Sequence, residues 1–404
     1  MMTRLWVISG VVGVVGAFGA GSGCGSGSAT TTSGTAGDHG HAGASGTAGD
    51  GMAGTSGTAG GGAAGASGTA GGSATGASGT AGGGTAGASS TAGASGAAGA
   101  SGTAGASTGA SGAPTLDGCS IFPPTDVWNT DVSRLSIDAT WTTRLQTLVG
   151  AVKVHPDFGT TSGIPINVVP ASQPAVPIVF DGYPQESDPG PYPFPPPASI
   201  LIEGGSGTAC DGDCHALVVQ QGACMLYEGY GCTSYANGAY HCANGAKWDL
   251  KKLSEGQRPV GWTSADAAGL AVMPGILRHA EAMAGPLRHA VRFTVSCTQD
   301  KYVAPATHAA IPTNKICDPD HPNPMMPPMG LRVRLKSSYP VAGAPIIQNI
   351  IVGLQKYGMI LADNGSDFFF QGDPDPGWTD DILDQLKAIP ASAFEVVDAS
   401  PLPP

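Results

Sequence analysis

Two cysteines, two aspartates and a histidine fall within six residues at Cys210-Asp211-Gly212-Asp213-Cys214-His215. Asp213 and His215 are two apart, so on an extended chain their side chains point to the same side. An acid beside a histidine orients the ring and raises its basicity, which suits general acid/base work. The cysteines have some look of a zinc cluster, but structural zinc draws on paired C-x-x-C-type units. The chain has no C-x-x-C, and no metal is assigned to this cluster.

Other acids sit where strands end. Asp363 follows the run GMILA and opens the hairpin signal Asn364-Gly365. Asp157 lies in His155-Pro156-Asp157-Phe158-Gly159, a second His/Asp pair. Glu203 ends the run SILIE, and Gly204-Gly205 behind it leaves room for a ligand to approach the backbone. His289 and Arg292 share HAVRFTV; alternation sets His289 with Val291 and Phe293, and Arg292 on the opposite face. Trp262 and Trp378 lie in Gly/Pro-rich surroundings, where tryptophans stack on sugar rings or cover a core edge. In this reading Asp213, Asp363 and Asp157 supply acid and base, and His215 orients or carries the proton. His289, Arg292, Trp262, Glu203 and Trp378 place the substrate. Each residue also has a plain structural role to compete with: turn brace, satisfied core histidine or core-edge ring.

These residues need a scaffold. Short β-branched or aromatic runs bounded by turn residues predict strands at 164–169, 176–180, 199–203, 215–220, 224–228, 289–295, 331–336, 358–362 and 367–371. Helices are expected after Asp138, over 346–358 and after Thr379, with a short one capped at Thr263-Ser264-Ala265-Asp266. The fold class is therefore mainly β, a β-sandwich-like or related β-rich domain with a few peripheral helices. ESDPGPYPFPPP (186–197) cannot be a central strand and reads as a rigid loop of the kind that shapes a binding surface.

The N-terminus places the chain. Arg4 precedes a mostly apolar run, Leu5 to Phe18, in the layout of a secretory signal over 1–23. The run is shorter than the ~20 residues that span a bilayer. Gly21-Ser22-Gly23-Cys24 resembles a lipobox with Gly21 where Leu is usual. Cys24 is expected to carry lipid; plain secretion is the alternative. From Cys24 to Ala113 the chain is nearly all Gly, Ala, Ser and Thr, with SGTAG recurring from Ser33 to Ser101. Such a segment has nothing to bury against the entropy of ordering, so a disordered tether is expected over 24–113. Pro114 is the first of 33 prolines and opens the expected functional domain, 114–404.

Nine cysteines leave eight if Cys24 is acylated. In an exported domain disulfides are the default, with pairing open. A net charge of −12 with no basic stripe argues against nucleic acid, and against membrane contact other than through a lipid anchor. HExxH, G-x-S-x-G and phosphate-loop signatures are absent from 114–404. No cofactor is called for. Structural calcium is an alternative use of two Asp-rich loops, Gly372-Asp373-Pro374-Asp375 and Cys317-Asp318-Pro319-Asp320.

CSIFPPTDVWNTDVS, HPDFG, ESDPGPYPFP, GDCHALVV, RPVGWTSADAAGLAVMPG, PPMGLRVRLK and LQKYGMILADNGS together resemble an exported family of soil-bacterial secreted and lipoprotein domains. The resemblance covers nearly all of 119–400. Asp213, His215, His289 and Asp363 fall on its recurring pattern, whereas Cys214 stands where the family usually has Arg. That departure implies a disulfide role for Cys214. The resemblance brings no activity with it. Location, residue types and scaffold lead instead to an expectation of a carbohydrate-active enzyme that cleaves an extracellular polysaccharide with paired acid/base residues. A non-catalytic glycan- or protein-binding module is the alternative.

Overall fold

The computed structural model describes residues 112–206, 209–310 and 325–402. The expected signal segment, Cys24, nearly all of the tether and the Cys317–Asp320 loop lie outside the described residues. In chain order the first strands are β1 (Thr115–Leu116), β2 (Cys119–Ser120), β3 (His155–Asp157), β4 (Ile166–Val169), β5 (Ile178–Phe180), β6 (Leu201–Ile202) and β7 (Gly205–Ser206). Then come β8 (Ala216–Gln220), β9 (Met225–Tyr230), β10 (Ser234–Ala236), β11 (Ala239–Cys242) and β12 (Asn244–Asp249). The last are β13 (Val291–Val295), β14 (Arg332–Leu335), β15 (Met359–Asn364), β16 (Phe369–Gln371) and β17 (Phe394–Val396). Among the described residues four α-helices accompany them: α1 (Ala139–Val149), α2 (His279–Ala284), α3 (Pro345–Lys356) and α4 (Asp380–Leu386). The fold is mainly β, in several sheets, with few helices.

A six-stranded mixed sheet runs β17-β14-β15-β13-β16-β3, and a four-stranded one runs β12-β9-β8-β4. β10-β11-β5, β1-β2 and β6-β7 form smaller sheets. β8 shows why its sequence is apolar without a break. Leu217 and Val219 pack into the larger core, and Ala216 and Val218 into a second, smaller one. A strand covered on both faces reads as a continuous apolar run. The larger core also takes β13, β15 and the stripe Ile346, Ile347, Ile350, Ile351 and Leu354 of α3.

All nine expected runs contain a strand. Asp138 caps α1, its carboxylate accepting from the Trp141 N–H at 2.9 Å. Thr379 precedes α4 but its side chain makes no capping bond. No helix forms at Thr263–Asp266; Ser264 Oγ accepts from the Asp266 N–H at 2.9 Å and holds a tight turn. Local side-chain bonds of this kind compete with helix formation. α2 escapes sequence reading because its first N–H, that of His279, is satisfied by Asp373, far along the chain. β10 and β11 carry a signal that was there to use: Asn237-Gly238, at φ of 53° and 80°, makes their two-residue turn. The 186–197 segment is not at the cavity described below. Its Tyr192 and Phe194 are fully buried in the second core.

Disulfides join Cys119–Cys224, Cys210–Cys214 and Cys232–Cys242, and Cys297 is also disulfide-bonded. They are consistent with an oxidising, extracellular setting. No helix among the described residues is long and apolar enough to cross a membrane.

Candidate functional site

The corner before β8 is built by its cysteines. Cys214 takes φ of 53° and is bonded to Cys210. Its carbonyl accepts from the Cys232 N–H, and that of Asp213 from the Gly231 N–H. The chain is therefore bent here, not extended as alternation had suggested, yet Asp213 and His215 still line one cavity. The acid that orients the ring is not Asp213. It is Glu203, twelve residues earlier, whose Oε2 lies 2.5 Å from His215 Nδ1. Glu203 sits at the β6–β7 turn, with its N–H donating to the His215 carbonyl at 3.0 Å. Gly204 behind it has φ of 72°, and a Cβ there would collide with the Asp211 carbonyl.

His215 is 2% exposed. Its Nε2 is 2.9 Å from the Ala265 carbonyl, which can only accept, so Nε2 carries a proton. Burial alone would lower its pKa; the Glu203 carboxylate outweighs this and lifts it to about 9. Glu203 is affected in reverse. Burial raises it, and His215 and then Arg292 bring it below the usual carboxylate range. At neutral pH the pair is an imidazolium held against a carboxylate.

Arg292, on β13, anchors the opposite wall. Its Nη2 and Nε grip the two oxygens of Asp266 at 2.9 and 3.2 Å, and its Nη1 donates to Gln371 Oε1 at 2.9 Å. Nη2 also lies 3.5 Å from Asp363 Oδ2. Burial disfavours the charge on Arg292, but Asp266 more than restores it. Asp363 follows a β-bulge: Phe293 pairs with Leu361 but Thr294 with Asp363, leaving Ala362 as the extra residue. The Ala362 carbonyl accepts from the Ala268 N–H at 2.9 Å. One loop thus serves both walls, through Ala265 on His215, Asp266 on Arg292 and Ala268 on the bulge. Asp363 exposes 24% of its side chain and lines the cavity. Burial pushes it up to about 7, with Asp266 and Asp213 adding to the effect and Arg292 opposing it.

Asp157 ends β3 opposite Gln371 of β16. Burial raises its pKa, and Glu203 raises it further. The cavity measures about 210 Å³ and brings together Asp157, Glu203, Asp213, His215, Arg292 and Asp363. Thr294, Asn364, Ser366 and Phe369 complete its polar and aromatic lining. Tyr230 stands beside it: its ring centroid is 5.6 Å from that of His215. Burial, then Asp213 and Asp363, push the Tyr230 phenol up to about 12.

No family model, curated protein or solved structure matches this chain.

Three expected substrate contacts lie elsewhere. Trp378 is wholly buried, its ring 4.8 Å from Phe158 and from His279. Trp262 lies under the Arg258 guanidinium at 5.4 Å. His289 is 1% exposed and faces Glu281. None of the three is among the residues that line the cavity. Asp373 and Asp375 are likewise engaged locally. Asp373 Oδ1 accepts from the His279 N–H, and Asp375 Oδ1 accepts from the Gly377 N–H and lies 3.2 Å from His279 Nδ1.

Glu203, Asp213 and His215 offer ligand atoms within 4.8 Å of one another. They fit a metal poorly, since Nε2 of His215 is spent on Ala265 and Nδ1 on Glu203; a cation would have to replace a proton in that pair. Sequence reasoning missed Asp266, Gln371 and Tyr230. Asp266 lies in TSADAAG, whose residue types suit a helix cap, while its carboxylate instead grips Arg292.

Proposed function

We propose that this chain is an exported hydrolase of the glycosidase type, acting on an extracellular polysaccharide from a lipid anchor at Cys24 or as a secreted protein. The resemblance to exported soil-bacterial domains accords with that setting. The observation that carries the reading is Asp363. It is a carboxyl group whose proton is held to about pH 7, in one cavity with a second carboxylate, Asp213.

Glycoside hydrolysis needs one carboxylic acid to protonate the leaving oxygen and another carboxylate to activate water or attack the sugar. Asp363 is suited to the first task, since an acid that titrates near the working pH holds its proton until the transition state draws it away. Asp213, exposed at the cavity mouth, takes the second, beside the fixed positive charge of His215. Asp157 is the reserve acid on the far wall. Arg292 and Asp266 keep Asp363 in place, and His215 with Glu203 forms a rigid dipole that needs no reorganisation during the reaction. Asn364, Ser366 and Gln371 offer hydrogen bonds to sugar hydroxyls, and Phe369 an apolar face. A volume of about 210 Å³ is below the ~300 Å³ of typical drug-sized pockets. The cavity therefore takes a single sugar residue, with the rest of the polymer outside.

The test incubates the full-length protein with a panel of bacterial and plant polysaccharides and measures new reducing ends. Asp363→Asn and Asp213→Asn should each lower the rate by roughly 10²–10⁴-fold with the fold intact by circular dichroism. Retention on a glycan without any cleavage, unaffected by both substitutions, would replace the enzyme with a binding module.

A further inference from the structure

A cavity of about 210 Å³ leaves most of a polymer outside, so a polysaccharide needs a surface beside the mouth. Tyr230 and Tyr183 provide one. Tyr230 ends β9, and the next residue, Gly231, donates its N–H to the Asp213 carbonyl at 3.0 Å. The Tyr230 backbone is thereby tied to the mouth. Ala243 carries the connection outward. Its N–H donates to the Tyr230 carbonyl at 2.7 Å, and its carbonyl accepts from the Tyr183 N–H, also at 2.7 Å. The Cys232–Cys242 disulfide braces this link, since Cys232 follows Gly231 and Cys242 precedes Ala243. The Tyr183 carbonyl is held as well, by the Glu186 N–H at 3.1 Å and Ser187 Oγ at 2.7 Å. Its side chain is nevertheless 50% exposed.

The side chains line up outward from His215. The Tyr230 ring is tilted at 49° to the His215 ring. Its phenol is near enough to Asp213, Asp363 and the Tyr183 phenol to feel their charge. Tyr230 Oη makes no hydrogen bond among the described residues and is not one of the buried unpartnered polar atoms, so it is open to solvent. A tyrosine ring presents a negative π face, which the C–H groups of a sugar ring can meet, while a phenol can bond a sugar hydroxyl. The charges point to the kind of sugar. Asp157, Glu203, Asp213 and Asp363 share the cavity with His215 and Arg292, and Arg292 is already matched by Asp266. The charged neighbours of Tyr183 along the chain are acids too. Asp181 faces His241 at 2.9 Å, and Glu186 Oε2 accepts from the Thr263 N–H at 2.9 Å. A sugar carboxylate would be repelled here, whereas an uncharged sugar would not.

We propose that Tyr183 and Tyr230 form a second sugar subsite adjoining the cavity, where the Tyr183 ring stacks on the next residue of an uncharged polysaccharide and Tyr230 Oη bonds one of its hydroxyls. This subsite presupposes that the cavity itself is a sugar site.

The probes are cellohexaose, xylohexaose, mannohexaose and hexagalacturonate, titrated by calorimetry into full-length protein carrying Asp363→Asn to suppress cleavage. At least one of the three uncharged sugars should bind, and more tightly than hexagalacturonate. Adding Tyr183→Ala should weaken that binding about tenfold without moving the melting temperature, because the ring is half exposed. Tyr183→Phe keeps the ring face and should keep the affinity. Tyr230→Phe removes one hydrogen bond and should weaken binding by roughly two- to tenfold. Binding that Tyr183→Ala leaves unchanged would overturn the subsite while the cavity remained a sugar site. Binding that Tyr183→Ala weakens, in a protein whose native form cleaves none of the probes, would uphold the subsite and remove the hydrolase. Binding of none of the uncharged sugars, or tighter binding of hexagalacturonate, would also overturn the proposal.

Discussion

At the scale of single residues, His215 and Asp363 are both pushed up in pKa, by different causes and with opposite consequences for stability. His215 is lifted from 6.5 to about 9 by Glu203, against burial, and Glu203 is held below its usual value of 4.5 by His215, also against burial. A base whose folded pKa is raised adds stability that is complete below its unfolded pKa and is lost as pH rises through the folded one. An acid whose folded pKa is lowered adds stability that is lost as pH falls through its folded value. The pair therefore contributes most between about pH 4.5 and 6.5, and its contribution decays towards pH 9. Glu203→Gln should remove that decay from the pH profile of the melting temperature and drop the His215 ring titration, followed by NMR, below 6.5. Asp363 works the other way. Its acid form is favoured by the fold, so ionisation between its unfolded value of 3.8 and its folded value of about 7 costs stability. A move of that size corresponds to at most ~4 kcal/mol, less whatever the Arg292 contact returns. Asp363→Asn should thus raise the melting temperature at pH 8 but not at pH 4, while abolishing hydrolysis. An unchanged melting temperature at pH 8 would mean that Asp363 is ionised without penalty and is no general acid. Asp213, His215 and Asp363 were legible because each stands at the edge of an apolar run, where a strand must end. Glu203 was legible as a site residue but not in its role, because its pairing with His215 depends on a hairpin turn and not on neighbouring sequence.

At the scale of elements, the loop from Thr263 to Leu270 joins both walls of the cavity. Its Ala265 carbonyl fixes His215, its Asp266 grips Arg292, and its Ala268 N–H holds the bulge before Asp363. Asp266→Asn would leave a buried guanidinium without its paired charge. Breaking a buried pair from one side typically costs about 3–5 kcal/mol, and chemical denaturation should show a loss of that order. The alternative, a loop that only covers the cavity, predicts a change under ~1 kcal/mol, as for surface positions. The strands were readable from alternation and turn residues, and Asp138 from its capping position. This loop was not. Thr263-Ser264-Ala265-Asp266 has the residue types of a cap, and only the partner 26 positions away, Arg292, shows where the acid is spent. β12 was also hidden, because its Asn244-Gly245-Ala246 start has little β-propensity and is held by pairing along the whole of β9.

At the scale of the whole molecule, the disulfides separate stability from function. Export and an even set of cysteines predicted bridges, but eight cysteines leave their pairing undetermined. Cys119–Cys224 closes a span of 105 residues, while Cys210–Cys214 closes one of 4. In the chain-entropy picture the long loop is worth about 4–5 kcal/mol and the short one about 2 kcal/mol. Their places are reversed with respect to the site. Cys119 and Cys224 pack in or against hydrophobic surface and do not line the cavity, whereas Cys214 lies between Asp213 and His215. Replacing Cys119 and Cys224 by serine should therefore lower the melting temperature most and leave the rate per folded molecule near that of the wild type. Replacing Cys210 and Cys214 should lower the melting temperature less but reduce the rate strongly, and it should shift the His215 titration downwards as the corner that presents the ring to Glu203 relaxes. If the second pair of substitutions left both the rate and the His215 titration unchanged, the bend at Cys214 would be maintained by the Gly231 and Cys232 backbone bonds alone, and the disulfide would have no part in positioning the site.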